Sequence, residues 1–504
     1  MPLGCCCNFL VQIFNSTINR SEATRTPLDC ALYAAILHDD PSDISEVAVK
    51  FAEAGNFSKA IEVAETIEER AGLEFIRGSF RYFRLMGFQV ASKSTALAEI
   101  AVLQAKTGQR DNALKNLNRA LALAEALGEW SGGEQLKLTL QKFVLIGEEE
   151  RAFSIFTTLT KSDWRIAVRF SQKIDMLAAL ADSLVTTGNN KRSLETLSQA
   201  EREFDTEPPP DIFSSNIEGI ANVYARLGNI EKAASLYQTF AEKENEKINP
   251  DQSSKNWNLE HFAQKLVELG RKPEGIRVSE TITDSYSQAR VFTNIAEFLC
   301  KSKQYEEAIN LLNRIASEEL RNQFSTEEEI ARAYLDEGKF DKAFDLVHQS
   351  KNTNSQALIL SHIAKKYSDL GNQTKAREAA ISAFEFRGEK LNEKAFIAGA
   401  VQYLLLADKN IGMQKIQERG TVRGEGFQLC EIAEKLAEAN QDKLAIEVLK
   451  FIQAEDYVDD AGPITILDYR ASAIVNIALQ YHNSNRPVDA NLQATLAEFV
   501  KLLD

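Results

Sequence analysis

Proline and cysteine are scarce in this chain of 504 residues, with 10 Pro, 6 Cys and 24 Gly, and aromatic residues make up only 8%. Such a composition excludes fibrous and low-complexity chains and leaves long helices uninterrupted. Cys5, Cys6 and Cys7 are adjacent while Cys30, Cys300 and Cys430 are scattered, so no disulfide framework is expected and a reducing, cytoplasmic setting fits. No run of 18 apolar residues is present, so no helix is expected to span a bilayer. The opening MPLGCCCNFLVQIF has no basic residue before Arg20, which is wrong for a secretory leader, and is expected to be retained.

Chemistry-bearing motifs are missing as well. There is no phosphate-cradling glycine loop, no paired-cysteine ligand spacing, no HExxH and no GxSxG, and the five histidines (His38, His261, His348, His362, His482) are dispersed. The expectation is a protein with no catalytic, cofactor-binding or metal site. Positive charge is in deficit: 58 Lys and Arg face 73 Asp and Glu, a formal net charge of −15. That balance opposes attraction to phosphate backbones or anionic lipid, so the expected partner is a protein or peptide, with no nucleic acid.

What the chain does contain is a repeated phrase. IAVLQAKTGQRDNALKNLNRAL, from Ile100 to Leu121, divides at Gly108 into two amphipathic halves and reads as helix, turn, helix. Copies recur around Gly55, Gly188, Gly228, Gly270, Gly338 and Gly371, and at Asn440, where Asn stands in for Gly as the other residue that tolerates left-handed backbone. Weaker copies turn at Gly147, at Lys303, near Asp408 and near Asn485, which makes twelve hairpins. The first two turns lie 53 residues apart and later ones 32 to 45. An Ala stands seven residues before most turns (Ala101, Ala221, Ala331) and another five after (Ala60, Ala233, Ala343), where helix axes must approach closely. A lone hairpin cannot bury its apolar face, so stacking is obligatory.

These residues resemble the tetratricopeptide repeat family over about residues 41–504. Ala at the eighth position, the turn Gly, the small residue five places on, the aromatic or apolar residue after that (Tyr237, Leu117, Val347) and a further Ala (Ala120, Ala200, Ala383) match, whereas the early aromatic and late Pro are mostly missing. The resemblance implies an all-α, right-handed superhelical solenoid in which the first helix of each pair lines a concave groove. The expected division is a cap or docking segment over residues 1–40 and a solenoid over 41–504, bent near 206–211 at Pro208, Pro209 and Pro210.

If that geometry holds, the residue six before each turn faces the groove. The phase is polar: Asp182, Asn222, Gln264, Glu297, Arg332, Lys365 and Glu434, with Trp257 and Glu260 earlier on the face of Gln264. A stripe that alternates in sign can orient a partner, so these residues are the candidate partner-binding groups of a scaffold or adaptor. Glu218 stands where a carboxylate-gripping clamp would need Lys, which argues against a reader of C-terminal tails. Residues 1–15 either cap the first hairpin or dock it to a membrane, with Cys5, Cys6 and Cys7 open to lipidation, and membrane contact is expected only there. The alternative functions are therefore a peripheral membrane assembly factor anchored by that segment and, third, an (α/α) toroid hydrolase with paired carboxylates in its funnel.

Overall fold

The computed structural model describes residues 20–503 apart from 39, 72–79, 128, 162–169, 207–213, 247–251, 318–319, 321–325, 350–352, 386–404, 406–407, 420–425, 453–456, 460–461 and 465. In chain order the helices are α1 (Pro27–His38), α2 (Pro41–Glu53), α3 (Phe57–Ala71), α4 (Phe80–Lys106), α5 (Arg110–Ala126), α6 (Glu129–Leu145), α7 (Glu149–Lys161) and α8 (Phe170–Thr186). They continue with α9 (Asn190–Thr206), α10 (Ser214–Arg226), α11 (Ile230–Glu246), α12 (Gln252–Glu268), α13 (Lys272–Glu280), α14 (Ser285–Lys301), α15 (Tyr305–Leu312) and α16 (Thr326–Asp336). The last are α17 (Phe340–Gln349), α18 (Thr353–Asp369), α19 (Gln373–Glu385), α20 (Lys409–Arg419), α21 (Gly426–Glu438), α22 (Asp442–Leu449), α23 (Ile466–Asn483) and α24 (Ala490–Lys501). The fold is an all-α solenoid of tetratricopeptide-like hairpins.

The turns explain why the helices pair. Gly55, Gly108, Gly147, Gly188, Gly228, Gly270, Gly338 and Gly371 all have φ between 74° and 83°, and Lys303, Asn440 and Asn485 have φ between 52° and 60°. At Gly228 the amide donates to Ala225 O at 2.9 Å and the next amide, Asn229, donates to Tyr224 O at 2.8 Å, so the last carbonyls of α10 are satisfied by the chain that leaves it. Asn229 Oδ1 then accepts from Lys232 N at 3.2 Å and starts α11. The same arrangement recurs at Asn56, Asn189 and Asn372.

The two Ala phases occupy the contacts between helices: Ala101, Ala221, Ala331, Ala60, Ala233 and Ala343 are all fully buried. Ala490 departs from the pattern and is exposed. At the equivalent place in the Gly270 hairpin the residue is Gly275, where a Cβ would lie 2.5 Å from Ala263 O. A second difference is a short stretch of strand, in which Tyr457–Asp459 pairs antiparallel with Gly462–Ile464 and Tyr457 stands opposite Ile464.

The chain forms two compact units. One is continuous, Gly128–Glu389, and stacks hairpins so that first helices meet: α6 on α8, α8 on α10, α12 on α14, α16 on α18. The other combines Met1–Leu127 with Lys390–Asp504. In it α1 lies along α23, touches α24, and packs on α2, so the first and last hairpins share one core. Arg470 on α23 adds a polar tie there, donating to Leu449 O at 3.0 Å and Ile452 O at 3.2 Å at the end of α22.

Candidate functional site

The candidate groups on first helices between α8 and α18 all belong to the continuous unit, and the structure joins many of them into pairs that cross from one hairpin to the next. Asp182 on α8 is bonded by Arg226 on α10. Glu218 on α10 lies 3.1 Å from both Lys265 Nζ and His261 Nε2 on α12. Glu260 on α12 is buried and accepts two hydrogen bonds from Arg290 on α14, both at 2.8 Å. Glu328 on α16 lies 2.8 Å from His362 Nε2 on α18 and is also bonded by Arg332. Long polar side chains therefore tie successive first helices together.

The remaining candidates are less engaged. Gln264 donates to Glu268 at 3.0 Å, and Glu297 pairs with Lys301 at 2.8 Å on its own helix. Asn222 and Lys365 are exposed. Glu434 lies in the other unit, where it accepts from Asn476 at 2.9 Å and burial pushes its carboxyl above the usual range. Cys5, Cys6, Cys7 and the segment 1–15 lie outside the described residues, as do Pro208, Pro209 and Pro210.

Trp257 stands apart from its neighbours. It is 55% exposed, yet its indole is stacked on His261 with centroids 5.9 Å apart and planes 9° from parallel. Burial holds the His261 imidazole below its ordinary pKa despite the Glu218 carboxylate. On the next first helix Arg290 takes the register of Trp257, thirteen residues before its turn, and its guanidinium lies 5.9 Å over the ring of Tyr286, itself 41% exposed. Sequence reasoning had found Trp257 and Glu260 but not Arg290 or Tyr286; the shared register of Arg290 and Trp257 was the available signal.

Elsewhere the chemistry is quiet. Among the described residues no group of three His, Cys, Asp or Glu is placed to hold a metal ion, and no helix is long and apolar enough to cross a membrane. Cys30 and Cys430 are buried, and burial pushes each thiol up to about 12, which keeps them protonated and unreactive.

No family model and no curated protein matches the chain. Solved structures similar to it are helical-repeat proteins. The pentatricopeptide repeat protein PPR10 from maize is 16% identical, with 90% of this chain and 61% of that one covered and a TM-score of 0.36, so the chain spans about three-fifths of its length. Naa15/Naa10 bound to HypK-THB is 13% identical, with 88% and 74% covered and a TM-score of 0.33. The human IFIT1 dimer with PPP-AAAA is 16% identical, with 84% and 93% covered and a TM-score of 0.25. The likeness is one of helical-repeat architecture. It nonetheless corrects the exclusion of nucleic acid drawn above from net charge, since a similar helical-repeat protein, human IFIT1, is found with PPP-AAAA. The charge that matters to a ligand is local, and on the face of α10, α12 and α14 carboxylates such as Glu218 and Glu260 are paired with cations.

Proposed function

We propose that this chain is a non-catalytic scaffold that holds a protein segment on the first-helix face of α10, α12 and α14. The observation that carries the reading is Trp257, a large apolar side chain left open to solvent but fixed in orientation by its stack on His261. Trp, Tyr and Arg are the residues that most often dominate binding energy at protein interfaces, and Trp257, Tyr286 and Arg290 sit on neighbouring helices of one stack. A pre-ordered indole loses little side-chain freedom on binding. The ion pairs around it neutralise the face, which favours a partner segment anchored by apolar or aromatic groups over one read by charge.

An exposed indole beside a guanidinium is also a platform on which unpaired bases stack, so a single-stranded oligonucleotide is the second reading. Capture of the tagged chain from native lysate, with bound protein and bound RNA both identified, tests the two against Trp257→Ala and against the double variant Arg332→Glu/Lys365→Glu. A defined protein held by the wild type and lost from Trp257→Ala supports the first reading. RNA lost in the same way establishes the second. Identical cargo on all three baits removes this face from consideration.

A further inference from the structure

A helix that merely covers the end of a solenoid needs one apolar side and one polar side. Helix α1 does not have that pattern. Leu28, Cys30, Ala31, Leu32, Ala34, Ala35 and Ile36 are all buried and spread over about two-thirds of the helix circumference, leaving only the side of Asp29, Tyr33 and Leu37 half-buried. Two bodies cover them: α2 of the first hairpin on one side, and α23 with α24 of the last hairpin on the other. The helix is also sharply delimited. Thr26 and Asp29 cap its start through Asp29 N donating to Thr26 Oγ1 at 3.2 Å, while His38 Nδ1 lies 2.7 Å from Asp43 Oδ2 at the junction with α2.

We infer that α1 is a clasp, an apolar helix shared by the first and last hairpins that makes the stability of residues 466–501 depend on residues 27–38. The physical ground is the double burial. When α1 lifts away, the apolar surfaces it covered on α2 and on α23 are both returned to water, together with its own two apolar sides, so neither hairpin keeps its full stability alone. The alanines Ala31, Ala34 and Ala35, each fully buried, allow the close approach on which that contact depends. Opening of the clasp is thus a local transition distinct from unfolding of the α4–α5 hairpin, which packs on α2 and α3. The inference stands independently of the binding face proposed for the other unit.

The chain contains its own reporter. Cys30 is fully buried in the first turn of α1, and its thiol becomes available to an alkylating reagent only when the clasp opens. The experiment is residue-resolved alkylation of the full-length protein by N-ethylmaleimide under native conditions, with Cys30 quantified by mass spectrometry. Ile474 on α23 is fully buried and distant in sequence. Ile474→Val is expected to raise the labelling rate of Cys30 by about threefold to tenfold, the factor that loss of one buried methyl allows. Leu117→Ala, at a fully buried position of α5, is the comparison variant and is expected to leave Cys30 labelling near the wild-type rate. If Ile474→Val does not change the rate, or if Leu117→Ala raises it as much, the clasp is overturned: α1 would then be independent of α23, or would open only with the whole unit. Ile474→Val is conservative enough to fold, and Ala35→Gly on α1 provides a second perturbation that must accelerate hydrogen exchange of α23 amides for the inference to stand.

Discussion

Arg290 reaches from α14 to Glu260 on α12 with both guanidinium arms, Nε and Nη2 each donating to one carboxylate oxygen at 2.8 Å. Glu260 is 6% exposed, so this pair is what allows a carboxylate to lie between two hairpins. Removing only the cation leaves a desolvated charge behind. Arg290→Met is therefore expected to lower unfolding stability by about 1–3 kcal/mol, the lower part of the range applying if water reaches Glu260. Adding Glu260→Gln should restore part of the loss. Urea denaturation of the two single variants and the double variant gives the coupling directly; simple additivity would mean the bond carries nothing.

The turn residues give opposite signs for superficially similar changes. Gly338 has φ 74°, and Gly338→Ala is expected to cost about 1 kcal/mol, because a Cβ is strained in left-handed backbone. Lys303 already bears that strain with φ 60°, so Lys303→Gly should be neutral or stabilise by up to about 1 kcal/mol. Thermal denaturation midpoints moving in the same direction for both would contradict the turn assignment.

Helix propensity alone says that Gly275→Ala should stabilise α13 by roughly 1 kcal/mol. Packing says otherwise: the new Cβ would meet Ala263 O at 2.5 Å and Val267 Cγ2 at 2.6 Å. Overpacking against a backbone carbonyl cannot be relieved by a rotamer change, so a net loss of about 1–3 kcal/mol is expected. Chemical denaturation decides between the two, and a stabilised variant would show that α12 and α13 can separate.

Acid should weaken the protein in two stages. Burial lowers the pKa of His261 and of His482 below the ordinary 6.5, so the unfolded chain binds these protons more tightly. Their contribution is complete above about pH 6.5 and is lost as pH falls toward the folded values. Glu328 is buried and Glu218 and Asp442 are half-buried, which alone would raise them, but their cationic partners hold each carboxyl below its usual range. Their contribution is lost at lower pH, below the ordinary carboxylate values near 4. His261→Gln should flatten the first stage and leave the second, as followed by thermal midpoints from about pH 7.5 to about pH 3.5.

Much of this architecture is legible in the sequence because it is local. A left-handed turn selects Gly or Asn, and a close helix crossing selects Ala, so Gly228, Asn440, Ala221 and Ala233 announce their places within one hairpin. The site is less legible. A residue six before a turn can face open solvent, as Lys365 does, or reach the next hairpin, as Asp182 reaches Arg226, and only the partner's position distinguishes the two. Arg290 and Tyr286 carried no motif, and Gly275 hid its role because Gly in a helix reads as a weakness. The packing of α1 on α23 joins segments more than 400 positions apart, which no periodicity reports.

The uniformity of the turns and the irregularity of their spacing have a common consequence for how this chain can change. The helix–turn–helix is closed by its own backbone bonds at Gly55, Gly188 or Gly371, while the distance to the next turn ranges from 32 to 53 residues. Residues are gained or lost in helix length as well as at the junctions between hairpins, the helices running from 27 residues in α4 to 8 in α15. A chain built this way departs from any fixed-period description while its turn geometry persists. The same junctions are where a reporter domain could be grafted without disturbing a hairpin.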